Sequence, residues 1–257
     1  MKSFVTITLV LLAGAAAMQG QQQPTTKTVC TLEDMHGDFA TQPIGILTAG
    51  PFAGPFAATG VIHFDGKGGF TGIATSSFFG HVIYPFHADG IYNITPDCFF
   101  SLVEETLHIG FIGYLSTTKN EVQMMEPDAA SITTNTLRRL VNLTCTDASL
   151  SGNWVLNGSG TRITNGDHIA QLKRINFDGK GNTIGTLHTS IQGVIAQTTL
   201  VGTYTMNSDC TFLGRETDAL GNVYHWFGVI FNNGEQMIYN YSDDGQVFAG
   251  QGRTSLN

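Results

Sequence analysis

The sequence has little charge, little proline and no basic cluster. Only 12% of its 257 residues are Asp, Glu, Lys or Arg, proline occurs 7 times, and the formal net charge is -8. Because a nucleic-acid surface needs grouped Lys and Arg side chains to neutralise phosphates, the sequence argues against nucleic-acid binding. The same acidic balance gives no reason to expect attachment to an anionic membrane.

Long apolar runs are missing except at the N-terminus. Lys2 precedes an almost wholly apolar segment, 4–17, which ends in small alanines and is followed by glutamines. This order is typical of a secretory signal peptide, with an uncleaved anchor as the alternative. We therefore predict a signal peptide over residues 1–20 and a polar segment over 21–29. No later stretch reaches 18 consecutive apolar residues, so we expect no membrane span and a secreted protein, extracellular or periplasmic.

Metal-binding and redox motifs are also missing. The chain has four cysteines but no C-x-x-C spacing, and its eight histidines form neither H-x-H nor H-E-x-x-H. An even number of cysteines in a secreted chain favours disulfides over zinc thiolates. We predict no metal and no cofactor.

What the chain does contain is an internal repeat. Matched landmarks occur in the same order at a nearly constant offset of 112–115 residues, as expected for a duplication. They are Gly37-Asp38-Phe39 with Gly152-Asn153-Trp154, Phe64-Asp65-Gly66-Lys67-Gly68 with Phe177-Asp178-Gly179-Lys180-Gly181, and Asp97-Cys98 with Asp209-Cys210. The predicted domains are residues 30–140 and 145–257, and the short linker between them predicts close packing.

The repeat sorts the cysteines into pairs. Each copy has one cysteine near its start and one in its Asp-Cys step. Of the three pairings that four cysteines allow, a duplicated unit favours Cys30 with Cys98 and Cys145 with Cys210. Each disulfide would stabilise its copy by roughly 4 kcal/mol in the chain-entropy model.

Within each copy, the pattern of apolar and polar residues has the two-residue period of β-strands. Apolar and polar residues alternate, as in 199–206 and 223–231, and Asp-Gly or Asn-Gly pairs separate the alternating segments. No amphipathic helix is evident. We predict an all-β fold of two tandem antiparallel β-barrels with about eight strands each, with β-sandwiches as the alternative.

Short motifs resemble a known group of barrels. Gly152-Asn153-Trp154 resembles the G-x-W signature of the calycins, the lipocalin-like barrels, which implies that Arg253 packs across Trp154. In the first copy, Gly37-Asp38-Phe39 would pair with Arg138 or Arg139. The Phe-Asp-Gly-Lys-Gly, Gly-x-Tyr and Asp-Cys pattern resembles bacterial secreted proteins of unassigned function with an allene-oxide-cyclase-like barrel. The resemblance implies the fold but not the activity, because the cyclase's catalytic positions and the lipocalin T-D-Y motif have no match.

Few residues are candidates for chemistry, and no catalytic residue is identified. The Asp-Gly-Lys-Gly segments could suggest calcium or phosphate, but hairpin turns explain them better. Glu104 or Glu105 and Glu216 occupy comparable positions, where we expect solvated strand residues rather than acids inside the barrels. Inward-facing His108 and His225 could supply polar groups, although rim or surface histidines are the alternative. The candidate ligand-binding residues are His108, His225, Phe52, Phe56, Trp154 and Trp226.

The least ordinary segment is 44–58, which is apolar and irregular. It could form a hydrophobic lid, pack on the second copy, or contact another protomer in a homo-oligomer. The leading functional hypothesis is binding of a small apolar ligand. The alternatives are a structural protein of the envelope and an enzyme of the isomerase or cyclase kind.

Overall fold

The computed structural model describes residues 29–106, 108–129, 131–141 and 144–255, so the predicted signal peptide lies outside the described residues. These residues form β-strands and two short 3₁₀ helices, at Leu32–Met35 and Asp147–Leu150, and contain no α-helix. None of the helices in this part of the chain is long and apolar enough to cross a bilayer.

The first repeat forms one closed barrel. Its strands are β1 (Gly37–Thr41), β2 (Ile44–Leu47), β3 (Gly54–Phe64), β4 (Gly69–Phe78), β5 (His81–Ile94), β6 (Phe99–Glu104), β7 (Ile109–Leu115), β8 (Glu121–Met125) and β9 (Ser131–Arg139). Both β1 and β2 pair with β3 on one side and β9 on the other, so together they act as one strand of an eight-stranded barrel. The break falls at Gln42 and Pro43, because proline has no N–H to donate to the ladder.

The second repeat forms the other closed barrel. Its strands are β10 (Gly152–Arg162), β11 (His168–Phe177), β12 (Asn182–Ile191), β13 (Val194–Met206), β14 (Thr211–Asp218), β15 (Val223–Phe231), β16 (Gln236–Tyr241) and β17 (Gln246–Thr254). Each strand pairs antiparallel with the next, and β10 pairs with β17. The predicted all-β fold of two tandem eight-stranded barrels is confirmed.

Each barrel has one closed end, which holds its disulfide. The disulfides join Cys30 to Cys98 and Cys145 to Cys210, the pairing that the repeat predicts. A 3₁₀ helix crosses each of these ends and inserts a fully buried side chain, Met35 in the first barrel and Leu150 in the second. The opposite end of each barrel is called the open end below.

The Asp-Gly-Lys-Gly segments are hairpin turns, as predicted. The Asp65 carboxylate accepts hydrogen bonds from the backbone N–H groups of Lys67 at 2.7 Å and Gly69 at 2.9 Å. The carboxylate of Asp178 repeats this arrangement in the second barrel. Gly66, with φ 74°, takes the left-handed conformation that the turn requires. Both carboxylates therefore accept hydrogen bonds from the backbone of their own turns.

The barrels pack side against side, as the short linker predicts. The outer face of β3 covers the outer face of β15, β16 and β17, and the buried residues between them are Ala40, Ala57, Val61, Phe227, Val229, Phe231, Ile238, Val247 and Ala249. Gln42, at the break in the first strand, donates from Nε2 to the carbonyls of Tyr239 at 3.0 Å and Gly250 at 2.9 Å. The interface is thus apolar and also hydrogen-bonded.

Candidate functional site

The first barrel contains a partly enclosed cavity of about 90 Å³ in the half next to its open end. This volume is several times the space that one water molecule needs. The cavity is largely apolar, and the lining includes Leu47, Phe56, Ala58, Ile62, Phe70, Ala74, Phe78, Phe86, Ala88, Leu102, Ile109 and Phe111. A partly enclosed apolar space with a few polar groups is typical of a small-molecule binding site.

The cavity exists because small residues replace large ones at matching places of the duplicated scaffold. The strand registers align Thr41 with Leu156, Gly60 with Lys173, Ala74 with Leu187, Ala88 with Leu200 and Thr133 with Phe248. The five larger residues are all buried in the second barrel, at 0 or 1% exposure. Their loss leaves the first barrel hollow, although both copies share one topology.

Aromatic side chains surround the mouth of the cavity. Phe56 and Phe78 line it, and their ring centroids are 4.8 Å apart. Phe86 lies 6.1 Å from Phe78 on one side, and Phe52 lies 5.6 Å from it on the other. Phe52 is 41% exposed, so it forms the outer edge of this group. Access to the cavity therefore depends on a few aromatic rings.

Two carboxylates face this largely apolar space. Glu104, the last residue of β6, and Glu126, just after β8, both line the cavity and are both 7% exposed. The backbone N–H of Thr106 donates to Glu104 Oε1 at 2.9 Å. Burial raises the pKa of Glu126, an effect that hydrogen bonds from the hydroxyls of Ser131 and Thr133 oppose. The cavity thus offers negative charge next to aromatic and aliphatic surface.

The second barrel is filled where the first is hollow. Lys173 and Glu216 are both completely buried, and Lys173 Nζ donates to Glu216 Oε2 at 2.7 Å. The Lys173 ammonium also lies over three rings, at 5.3 Å from Trp226, 5.8 Å from Tyr239 and 5.0 Å from Tyr241. A buried ion pair enclosed by aromatic rings therefore forms the centre of this barrel.

The tyrosines around this ion pair remain neutral at ordinary pH. Burial raises the pKa of Tyr239 and of Tyr241 well above the usual range. Burial and the neighbouring Asp218 carboxylate raise the pKa of Tyr224 to about 12. Because these phenols do not ionise, the charged partner of Lys173 is the Glu216 carboxylate.

The six candidate ligand-binding residues do not come together. Phe56 lines the cavity, and Phe52 packs against Phe78, which also lines it. Trp154 and Trp226 are fully buried in the core of the second barrel. The two histidines lie at the surface.

His108 and His225 are exposed and belong to different barrels. His108 lies in the turn before β7 with φ 55°. His225 is on the outer face of β15, where its Nδ1 is 2.7 Å from Asp243 Oδ1. Neither histidine faces a barrel interior, so the alternative of rim or surface histidines describes them.

The expectation that Glu104 and Glu216 are solvated is wrong. Both side chains are buried inside their barrels, whereas Glu105 is exposed. Adjacent residues of a strand point to opposite faces, and the closure of the sheet puts the Glu104 face inside. The sequence showed that Glu104 and Glu216 are equivalent but did not identify Lys173, on the inward face of β11, or Glu126, which continues the alternation of β8 by one residue.

The predicted stacking of Arg253 on Trp154 is also wrong. Arg253 pairs with Val155, which is exposed, and directly opposed residues share a face, so Arg253 lies on the outside. Trp154 instead donates from Nε1 to the carbonyl of Leu150 at 3.0 Å. In the first barrel, Arg139 does lie over Phe39, at 4.4 Å from its centroid. The motif thus acts differently in the two copies.

The residues of the 44–58 segment lie in three different environments. Leu47, Phe56 and Ala58 face the cavity, and Ala57 packs on the second barrel. Its β2 residues Ile44 and Ile46 are about half exposed and border an open groove of about 620 Å³ between the barrels. The homo-oligomer through this segment stays a prediction.

Among the described residues, no group of three or more His, Cys, Asp or Glu side chains could hold a metal ion. The fold and the cavity define a class, a tandem β-barrel protein with one hollow and one filled barrel. No profile of a known protein family matches the chain, and no curated protein matches it. A crystal structure of a protein of unknown function from the DUF3598 family of Nostoc punctiforme matches with 9% identity over 88% of this chain and 99% of that chain, at a TM-score of 0.29.

Proposed function

We propose that this is a secreted binding protein whose first barrel holds a small apolar ligand. The observation that carries the proposal is the cavity inside the first barrel, at places where the second barrel has large buried side chains. Side chains in the second barrel show how the same scaffold is filled, by a lysine and several large apolar residues. A purely structural role would require no cavity larger than a water molecule, and the first barrel has one of about 90 Å³.

The form of the barrel supports a calycin-like mode of binding. The disulfide and the 3₁₀ helix close one end, and the cavity lies towards the other. Small ligands commonly bind in the mouths of β-barrels, on apolar surface with a few polar groups. The proposal depends on this site rather than on the fold, which many unrelated functions share.

Secretion and the domain organisation are part of the same proposal. The two disulfides suit an oxidising compartment, extracellular or periplasmic. Each lies within one barrel, and each barrel has its own buried core. This arrangement favours residues 30–140 and 145–257 as two separately stable domains.

Isothermal titration calorimetry of the full mature protein with benzyl alcohol tests the binding proposal. We expect saturable binding that the cavity-filling variant Ala88→Leu removes, because Ala88 lines the cavity. Ala196→Leu is the matched control, since Ala196 is exposed on β13 of the filled barrel. Equal binding of benzyl alcohol by Ala88→Leu, or failure of both benzyl alcohol and its amine analogue benzylamine to bind, would contradict the proposal.

A further inference from the structure

The filled barrel contains a cation at the place where the hollow barrel has space. Lys173 extends from β11 into the interior, and its ammonium meets the Glu216 carboxylate among aromatic rings. Both charged groups are completely buried, so the pair is built into the core of the barrel. The second barrel therefore shows which chemical group this scaffold accommodates beside its interior carboxylate.

The first barrel has the carboxylate of this pair but not the lysine. Glu104 pairs across the sheet with Gly90 and Ile109, as Glu216 pairs with Gly202 and Tyr224, so the two glutamates occupy equivalent places. The equivalent of Lys173 is Gly60, which has no side chain. The neighbouring inward residues of β3, Ala58 and Ile62, line the cavity. The cavity therefore extends between β3 and Glu104.

The charge of the cavity is one-sided. Among the described residues, its lining includes Glu104 and Glu126 and no Lys, Arg or His. Phe111 lines the cavity at the place where Trp226 lies over the Lys173 ammonium in the second barrel. An ammonium group in the cavity would find both a carboxylate and an aromatic ring.

We propose that the ligand of the first barrel is a small hydrophobic amine whose ammonium group pairs with Glu104, as Lys173 pairs with Glu216. This inference rests on the proposed binding function. It requires that neutral analogues bind more weakly. It also requires that carboxylates of the same size be rejected, because they would face two buried carboxylates.

Three probes of similar size separate these cases: benzylamine, benzyl alcohol and benzoate, titrated calorimetrically into the full mature protein at neutral pH. Benzylamine is expected to bind at least about tenfold more tightly than benzyl alcohol, the difference that one charge-assisted hydrogen bond gives. Benzoate is expected not to bind. In Glu104→Gln, the benzylamine affinity should fall at least about tenfold, while the benzyl alcohol affinity stays unchanged.

Glu105→Gln is the matched control, because Glu105 is the adjacent residue and is exposed. Retained benzyl alcohol binding by Glu104→Gln shows that its cavity is intact. If that variant does not fold, the order of the native protein's affinities for the three probes still tests the inference. Equal affinities for benzylamine and benzyl alcohol, or unchanged benzylamine binding by a folded Glu104→Gln, would overturn this inference and leave the binding function standing. Binding of none of the three probes would overturn both.

Discussion

Filling the cavity should stabilise the first barrel. Ala88 lines the cavity, and the matching residue of the second barrel is Leu200, which is 1% exposed. The variant Ala88→Leu therefore copies a side chain that the same scaffold already accommodates. We expect the first barrel to become more stable and to lose its ligand at the same time.

The expected gain in the free energy of unfolding follows from the added apolar surface. Leucine adds three carbon atoms to alanine, and each buried methylene is worth about 0.8 kcal/mol, so the ceiling is about 2.4 kcal/mol. Adjustment of the surrounding aromatic rings offsets part of this gain, as in most cavity-filling variants. The net increase in the free energy of unfolding should be about 1 kcal/mol.

The positions of the tryptophans make the assay selective. Trp154 and Trp226 are the only two tryptophans of the chain, and both lie in the second barrel, so fluorescence follows that barrel alone. Hydrogen exchange of peptides from 29–141 follows the first barrel. In urea, Ala88→Leu should slow exchange in those peptides, whereas the exposed control Ala196→Leu should not. A loss of more than about 1 kcal/mol on Ala88→Leu would refute the argument, because it would mean overpacking of a filled site.

Three further perturbations have defined outcomes. Lys173→Met should lower the free energy of unfolding of the second barrel, followed by tryptophan fluorescence, by about 3–5 kcal/mol, because it leaves the Glu216 charge unpaired. Adding Glu216→Gln should restore most of this stability. Equal losses in the single and double variants would contradict this expectation. Burial raises the pKa of Glu126, so the native state binds a proton more tightly than the unfolded chain, and stability should fall as pH rises through that folded pKa. Glu126→Gln should flatten this dependence in urea denaturation followed by exchange, and an unchanged slope would count against it. Replacing Cys30 and Cys98 by alanine should cost about 4 kcal/mol in the first barrel, and an equal shift in tryptophan fluorescence would show that the barrels unfold together.

Strand alternation predicted the elements better than it predicted their direction. In β15, the residues Phe227 and Val229 alternate with Trp226 and Ile230, and all four are apolar. The first pair packs on the neighbouring barrel and the second pair faces the interior. Because both faces are buried, hydrophobicity alone could not say which face forms the lumen.

The sequence did not indicate the cavity either. Gly60, Ala74 and Ala88 are ordinary small strand residues, and such residues look the same beside a packed neighbour as beside an empty space. Only the register of the closed sheet shows that they replace Lys173, Leu187 and Leu200 of the other copy. These small residues form a cavity only together, and they are far apart in the chain until the barrel closes.

The sequence by itself determined the duplication, the strand-rich fold and the disulfide pairing, because each depends on local periodicity or on landmarks that recur in order. Only the tertiary structure decided which barrel is hollow, which carboxylates lie inside, and which faces join the two barrels. These properties depend on how strands distant in sequence align and close around a common interior, so that a residue's surroundings come from neighbours that its own segment does not contain.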